Sequence, residues 1–380
     1  MTDTTPRLVT PRGSWTISEL QTDPFHLVDS PPPSDSLVLD SGKSEEVVSA
    51  ILVADGPISR VYLGAKSAGG EPLFNSNTLW YFLTSGTTSK PKQVAHELRG
   101  ISRSLSSESV ERSTWSFLTD IYRMAGIQVV LECLGRNENL VIPDSSMSIA
   151  EKLDFMRIHS VDKLSATPSQ YRQLLGLRSF AELPLRQITL GGEIADQRLL
   201  TALKETFPDS KITHVYATTE TGPLFAVSDC LAGFPVTKVT GIRSKLVISD
   251  VGELGVKSDA TGETHWTGDL VALNQDRYMF TGRNSGFINV GGAKINPQEI
   301  ESVVMTHENV LDCCARAIPS SVLGELVSLD VVLLNDDPQT LNQLRAICRE
   351  KLPRLAVPRF FNEVKEIPKN ETGKKLRASF

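Results

Sequence analysis

The run Thr78-Leu79-Trp80-Tyr81-Phe82-Leu83 carries no charge and reads as a strand buried on both faces. From about residue 79 to about 281, apolar runs of strand length alternate with stretches of helical spacing. Leu140-Val141-Ile142 stops at Pro143, residues 149 to 159 have helical periodicity, Gln187 to Leu190 runs into Gly191-Gly192, and residues 196 to 207 form another helix. That alternation predicts a large N-terminal α/β domain with mostly parallel sheets, in which ligands lie at the carboxyl ends of strands. The apolar run at 45 to 54 fits a helix or a strand equally. Residues 1 to 36 are rich in Pro, Ser, Thr and Asp, including Pro31-Pro32-Pro33, and predict loop or a loosely attached arm.

A change of pattern near Arg283 marks a second domain. Asn296 followed by Pro297 and Glu299 is a helix start: a capping side chain, proline at the first helical position and an acid near the positive pole. Strands at 310 to 318 and 326 to 334 and a helix at 340 to 351 follow. The expected division is 1–282 and 283–380, the second piece being a small α+β domain.

Composition narrows the function classes. With 39 basic and 45 acidic residues the net charge is −6, which speaks against a broad nucleic-acid footprint. The most apolar stretch, 124 to 134, is interrupted by Gln128 and Glu132 and is far shorter than a membrane span, and the start of the chain lacks the apolar core of a signal peptide. The five cysteines form no CxxC pair, and their odd number argues against a closed disulfide framework. A cytoplasmic protein with reduced thiols is expected, with no membrane and no nucleic-acid partner. The six histidines lack metal-ligand spacing, so no zinc site is expected.

Candidate chemistry begins right after the first strand. In the segment Leu83 to Lys92, LTSGTTSKPK, the small and hydroxylated residues Thr84, Ser85, Gly86, Thr87 and Thr88 let amides and hydroxyls approach phosphate oxygens, while Lys90 and Lys92 supply positive charge. A Walker-type loop is excluded, because GxxxxGK[ST] is absent and Pro91 interrupts the helix that should follow. Downstream come Tyr216-Ala217-Thr218-Thr219-Glu220, then Thr267-Gly268-Asp269-Leu270, then Gly282-Arg283 through Gly291-Gly292 to Glu301, and finally Pro368 to Lys374.

In this order the segments resemble the adenylate-forming superfamily of acyl- and aryl-CoA ligases, peptide-synthetase adenylation domains and firefly luciferase. The resemblance covers roughly residues 78 to 380. It implies an AMP-forming acid–thiol ligase that uses ATP and Mg²⁺, makes an acyl-adenylate from a small carboxylic acid, and passes the acyl group to CoA or to the phosphopantetheine of an acyl carrier protein. It also implies that the C-terminal domain is mobile. By the same resemblance, Thr84 to Lys92 would cradle the β- and γ-phosphates, with Ser89 where glycine is usual. Thr219 would contact the α-phosphate, and Glu220 would hold the metal. Tyr216 would stack on adenine, beside Ala217 in place of the usual glycine, and Gly191, Gly192 and Glu193 would form the adenine-side loop. Asp269 would accept from the ribose hydroxyls, with Arg283 supporting ribose and phosphate. Lys374 would be the catalytic lysine. Ser285 falls at the hinge, where an aspartate is usual and is followed by another acid, here Gly286. Gly291 and Gly292 would line a thiol tunnel or simply form a hairpin turn. His96, Tyr122 and Arg123 are candidates for the acid pocket, with Arg123 suited to a second carboxylate or serving as a structural arginine.

The piece ahead of the phosphate loop is short, and about 46 residues separate Glu220 from Thr267, also fewer than usual. The acid pocket is therefore expected to be trimmed, which points to an open site, a small rigid substrate or a second subunit, as in a homodimer. Two rival readings remain at this stage: a non-catalytic nucleotide- or acyl-binding relative acting through partners, and an adenylate-forming enzyme that passes the acyl group to an amine.

Overall fold

The uncharged run at 78 to 83 is indeed a strand, Leu79–Leu83, with Trp80 and Phe82 fully buried. It is paired antiparallel with Gln93–His96 and parallel with Arg60–Leu63, beyond which lies Ser36–Leu39. The computed structural model describes residues 7–22, 36–39, 42–53, 60–63, 78–83, 93–101, 112–241, 245–258, 261–283, 286–368 and 375. The ambiguous run at 45 to 54 is the helix Ser44–Val53, which buries Val47, Val48 and Ala50.

The chain divides into two compact units, residues 1–193 with 199–230, and residues 194–198 with 231–380. In the first, eight described strands form one sheet in the order Gly222–Val227, Lys211–Thr218, Gln187–Gly191, Lys163–Ala166, Thr114–Phe117, Asn139–Val141, Arg7–Thr10, Gly13–Thr16. The inner neighbours pair in parallel and the two outermost pairs are antiparallel. Parallel neighbours require crossovers, and helices Gln197–Thr206, Met124–Gly135, Ile149–Ile158 and Pro168–Leu175 supply four of the five. Ser148 and Thr167 open the last two with reciprocal capping boxes, which satisfy amides that the first turn leaves without partners.

Two expectations are corrected. Residues 7 to 21 are not an unattached arm: Arg7–Thr10 and Gly13–Thr16 form a hairpin that extends the main sheet, Leu8 is fully buried, and the helix Ile17–Gln21 has its own capping box. Each strand is four residues long, too short to leave a periodic signal against the polar composition around it. The strand–helix alternation also ends earlier than residue 281. From 234 to 283 the regular structure is an antiparallel sheet, Phe234–Pro235, Arg277–Arg283, Thr264–Asn274, Glu253–Lys257, Leu246–Ile248, with one four-residue helix, Thr237–Thr240. Turns at Gly252 and Gly262, both at positive φ, make antiparallel returns possible where a parallel connection would need a dozen residues.

The second unit continues with Ala293–Ile295, Ile288–Val290, Gly324–Leu333 and Val310–Ser320 as sheet neighbours, and Phe360–Glu363 runs parallel beside Gly324–Leu333. Helices Pro297–Val304 and Thr340–Lys351 accompany it, near the predicted positions, and Asn296 caps the first by accepting from the amide of Gln298 at 3.0 Å. Ile300, Val304, Leu329, Val331, Leu344 and Cys348 form the centre of its core. Among the described residues no helix is long and apolar enough to cross a membrane.

Candidate active site

In the first unit the two strands that flank the hydroxyl-rich segment, Leu79–Leu83 and Gln93–His96, are locked in register from Trp80 opposite His96 to Leu83 opposite Gln93. Thr84, Ser85, Gly86, Thr87, Thr88, Ser89 and Lys92 themselves lie outside the described residues. The far strand ends in His96, whose ring sits edge-on to Phe82 at 6.0 Å. Its Nε2–H donates to the carbonyl oxygen of Thr219 at 2.6 Å, which fixes that tautomer because a carbonyl can only accept. His96 therefore ties the strand leaving the phosphate-type segment to the Thr219–Glu220 turn, a role that its proposed place in the acid pocket had not foreseen.

That turn joins Lys211–Thr218 to Gly222–Val227. The Thr218 hydroxyl accepts from the amide of Thr221 at 3.1 Å and shares a 2.8 Å hydrogen bond with the Thr221 hydroxyl, closing the tip. Thr219 is half-buried there and Glu220 is exposed. A bulge at Tyr216/Ala217 precedes the tip and re-aims the strand, a feature common beside ligand sites. Tyr216 stacks on Phe225 at 5.2 Å and 25° through one face of its ring, and Ala217 packs on the hydrophobic core.

Gly191 ends its strand, Gly192 follows at positive φ, and Glu193 reaches the start of helix Pro168–Leu175, where its Oε2 accepts from the amide and hydroxyl of Ser169 at 3.0 and 2.6 Å. The carboxylate is thus oriented by a helix N-terminus, which favours its charge. The other two pocket candidates have local partners. Tyr122 Oη accepts from the amide of Gly42 at 2.8 Å, and Arg123 precedes helix Met124–Gly135 with its Nε 4.0 Å from Asp120.

In the second unit Asp269 and Arg283 are direct cross-strand partners, with Arg283 Nε 2.6 Å from Asp269 Oδ1. Bulges at Glu253/Gly255 and Leu270/Val271 shape this end of the hairpin. The Thr267 hydroxyl anchors it by donating to the carbonyl of Leu254 and accepting from the amide of Asp269. Gly282 lies at φ +145°, and a Cβ there would fall 2.0 Å from Nδ2 of Asn296, which itself donates to the Thr281 carbonyl. Gly282→Ala is therefore expected to lower stability by about 1–3 kcal/mol through backbone strain and a displaced cap. An unchanged melting temperature would contradict this assignment. Gly291 and Gly292, both at positive φ, form the two-residue turn between Ile288–Val290 and Ala293–Ile295. Ser285 and Lys374 lie outside the described residues, whereas Lys375 is described and paired.

All five cysteines are free. Burial pushes the Cys133 and Cys313 thiols well up and that of Cys348 up to about 11, so these three are not thiolate nucleophiles at neutral pH. Among the described residues no three acidic, histidine or cysteine groups gather to hold a metal. A single exposed carboxylate at a hairpin tip, Glu220, fits Mg²⁺, which takes one or two carboxylates and completes its shell with phosphate oxygens and water.

Residues 18–273 match the model of the AMP-binding enzyme family, and residues 299–374 match the AMP-binding enzyme C-terminal domain. The chain belongs to the AMP-binding enzyme family. Among curated relatives, a 2-succinylbenzoate–CoA ligase of Bacillus velezensis is 27% identical over 90% of this chain and 76% of its own length. Among solved structures, the anthranilate CoA ligase AuaEII in complex with anthranoyl-AMP has a TM-score of 0.72 at 16% identity, covering 98% of this chain and 92% of that one. The o-succinylbenzoate coenzyme A synthetase of Bacillus subtilis, in complex with ATP and magnesium ion, has a TM-score of 0.67 at 19% identity, covering 99% and 96%. At these identities the two structures show a shared adenylate-forming fold, a large α/β N-terminal part and a smaller C-terminal one.

Proposed function

We propose that this AMP-binding enzyme joins a small aryl carboxylic acid to ATP and then transfers the acyl group from the adenylate to the thiol of CoA. The observation that carries the reading is the His96–Thr219 hydrogen bond. It ties the strand that follows the hydroxyl-rich segment to the turn that bears Thr219 and Glu220, which supports reading the two motifs as parts of one phosphate site. The aryl preference is supported by the acids named for the succinylbenzoate and anthranilate relatives.

In the first step an acid oxygen attacks the α-phosphorus, a P–O bond to the acid forms, and the bond to pyrophosphate breaks. The protein's task is to hold two anions together and offset the charge that builds up. Thr84 to Lys92 hold the terminal phosphates, Thr219 orients the α-phosphate, Tyr216 contacts the adenine, and Asp269, steadied by Arg283, accepts from the ribose. Glu220 would hold Mg²⁺, which when bound would supply positive charge to offset that of the phosphates. Lys374 brings an ammonium to the acid oxygen and the α-phosphate. In the second step the thiol sulfur attacks the acyl carbon, a C–S bond forms and AMP departs. Residues 283–380 move as a domain about Ser285 between the steps, and Gly291–Gly292 allow close approach of the thiol arm. The free cysteines suit a reducing, cytoplasmic setting.

Exchange of labelled pyrophosphate into ATP, measured across benzoate, 2-succinylbenzoate, anthranilate and octanoate, tests the reading. Acid-dependent exchange with an aryl acid is expected. No exchange with any of the four, beside an active control ligase, would leave the non-catalytic relative as the better account.

A further inference from the structure

Lysines near a chain end are ordinarily solvated, yet Lys375 is not. Its side chain is 16% exposed, and its ammonium lies 2.7 Å from Asp312 Oδ1, 2.6 Å from the carbonyl oxygen of Cys313 and 3.9 Å from Glu301 Oε2. Burial pulls its pKa down, but the carboxylates of Glu301 and Asp312 outweigh that and raise it, so the charge is retained. The socket is built in advance. Glu301 Oε1 accepts from the amide of Ala315 at 2.9 Å, Asp312 Oδ1 accepts from the amide of Cys313 at 2.9 Å, and a bulge between Val310 and Asp312 turns the aspartate toward this point. Helix Pro297–Val304, strand Val310–Ser320 and the end of the chain meet on one nitrogen.

Stability alone is a poor reason for such a socket, since apolar packing holds a tail about as well as a buried ion pair. What directional acceptors add is register. Lys374 and Lys375 are consecutive, so a slip of one residue would seat the other ammonium in the socket. A socket that accepts Lys375 settles which of the two ammonium groups is held there.

We propose that Lys375 is the positioning residue for Lys374: held by Asp312, Glu301 and the Cys313 carbonyl, it fixes the register of the tail and thereby the reach of the catalytic ammonium. The proposal rests on the adenylation reading above. Lys375→Met removes the charge at similar length. Asp312→Asn weakens the socket while keeping an acceptor for the Cys313 amide. With the acid that gives most exchange in the wild type, Lys375→Met is expected to lower the turnover of adenylation about 10²-fold, the scale of a catalytic group misplaced by an ångström, while KM for ATP stays within about twofold. Asp312→Asn is expected to move turnover the same way by a smaller factor, and it carries the test if Lys375→Met does not fold. Full turnover in either folded variant overturns the proposal, as does a rise in KM that accounts for the whole loss. Absence of exchange in the wild type itself overturns the adenylation reading, and the proposal falls with it.

Discussion

Lys374→Ala is expected to slow acyl-adenylate formation by about 10²–10³-fold, the cost of deleting one preorganised donor aimed at developing charge. The C-terminal family match ends on this residue, and the neighbouring Lys375 is seated in its acidic socket. The loss should appear in turnover, with KM for ATP little changed, because the terminal phosphates and the nucleoside are held by other groups. Thioester formation from supplied acyl-adenylate and CoA should be nearly unaffected, since no phosphoryl charge has to be offset there. Lys374→Arg is not expected to restore the first step, because a planar guanidinium spreads the charge that a compact ammonium concentrates. A loss below about tenfold, or equal losses in both half-reactions, would remove Lys374 from the role assigned to it.

What the sequence disclosed and what it hid follow from the range over which each signal acts. Local chemistry was legible. The uncharged run at 78 to 83 forms a strand, Asn296 caps its helix, and Asp269 and Arg283, chosen from separate motifs, face each other across one hairpin. The α/β character of the first unit could be read because parallel strands buried on both faces leave long apolar runs. The antiparallel sheet between 234 and 283 was hidden, because strands exposed on one face and joined by glycine turns leave no long apolar run. The four-residue strands at Arg7–Thr10 and Gly13–Thr16 were hidden because each is too short for a periodic signal, and Arg7–Thr10 finds its sheet partner, Asn139–Val141, more than 120 positions away. His96 was noticed as a polar group near a pocket, but its bond to the Thr219 carbonyl spans 123 positions and leaves no local trace. Nothing in the sequence around Lys375 marks it for burial. Its seat depends on Glu301 and Asp312, more than sixty positions away, and so leaves no local trace.

Glu138→Ala is expected to destabilise the first unit by about 3–5 kcal/mol, a large share of the roughly 5–15 kcal/mol that holds a domain folded. Glu138 is 1% exposed and immediately precedes strand Asn139–Val141, at the end of the parallel sheet opposite the carboxyl termini where ligands bind. One carboxylate oxygen lies 2.7 Å from Lys163 Nζ, the other accepts from the indole N–H of Trp115, and the same ammonium stands 5.2 Å from the Trp115 ring. Trp115 and Lys163 are cross-strand neighbours, so the carboxylate bridges three adjacent strands through side chains. Removing it leaves a buried ammonium and a buried indole N–H together without their acceptor, and the desolvation cost of both is exposed at once. Glu138→Gln, which can still accept from the indole, should cost less. The informative comparison is the double variant Glu138→Leu/Lys163→Met, which removes both charges and fills the space with apolar groups. Its stability by urea unfolding should lie well above that of Glu138→Leu, and with Lys163→Met as the other single variant the cycle should give a coupling of about 2 kcal/mol or more. Pyrophosphate exchange by folded Glu138→Gln should stay near wild type, because the network lies at the far end of the sheet. A cost below about 1 kcal/mol for Glu138→Ala, or a double variant no more stable than the single one, would show that the ion pair is already well hydrated and holds these strands together far less than its geometry indicates.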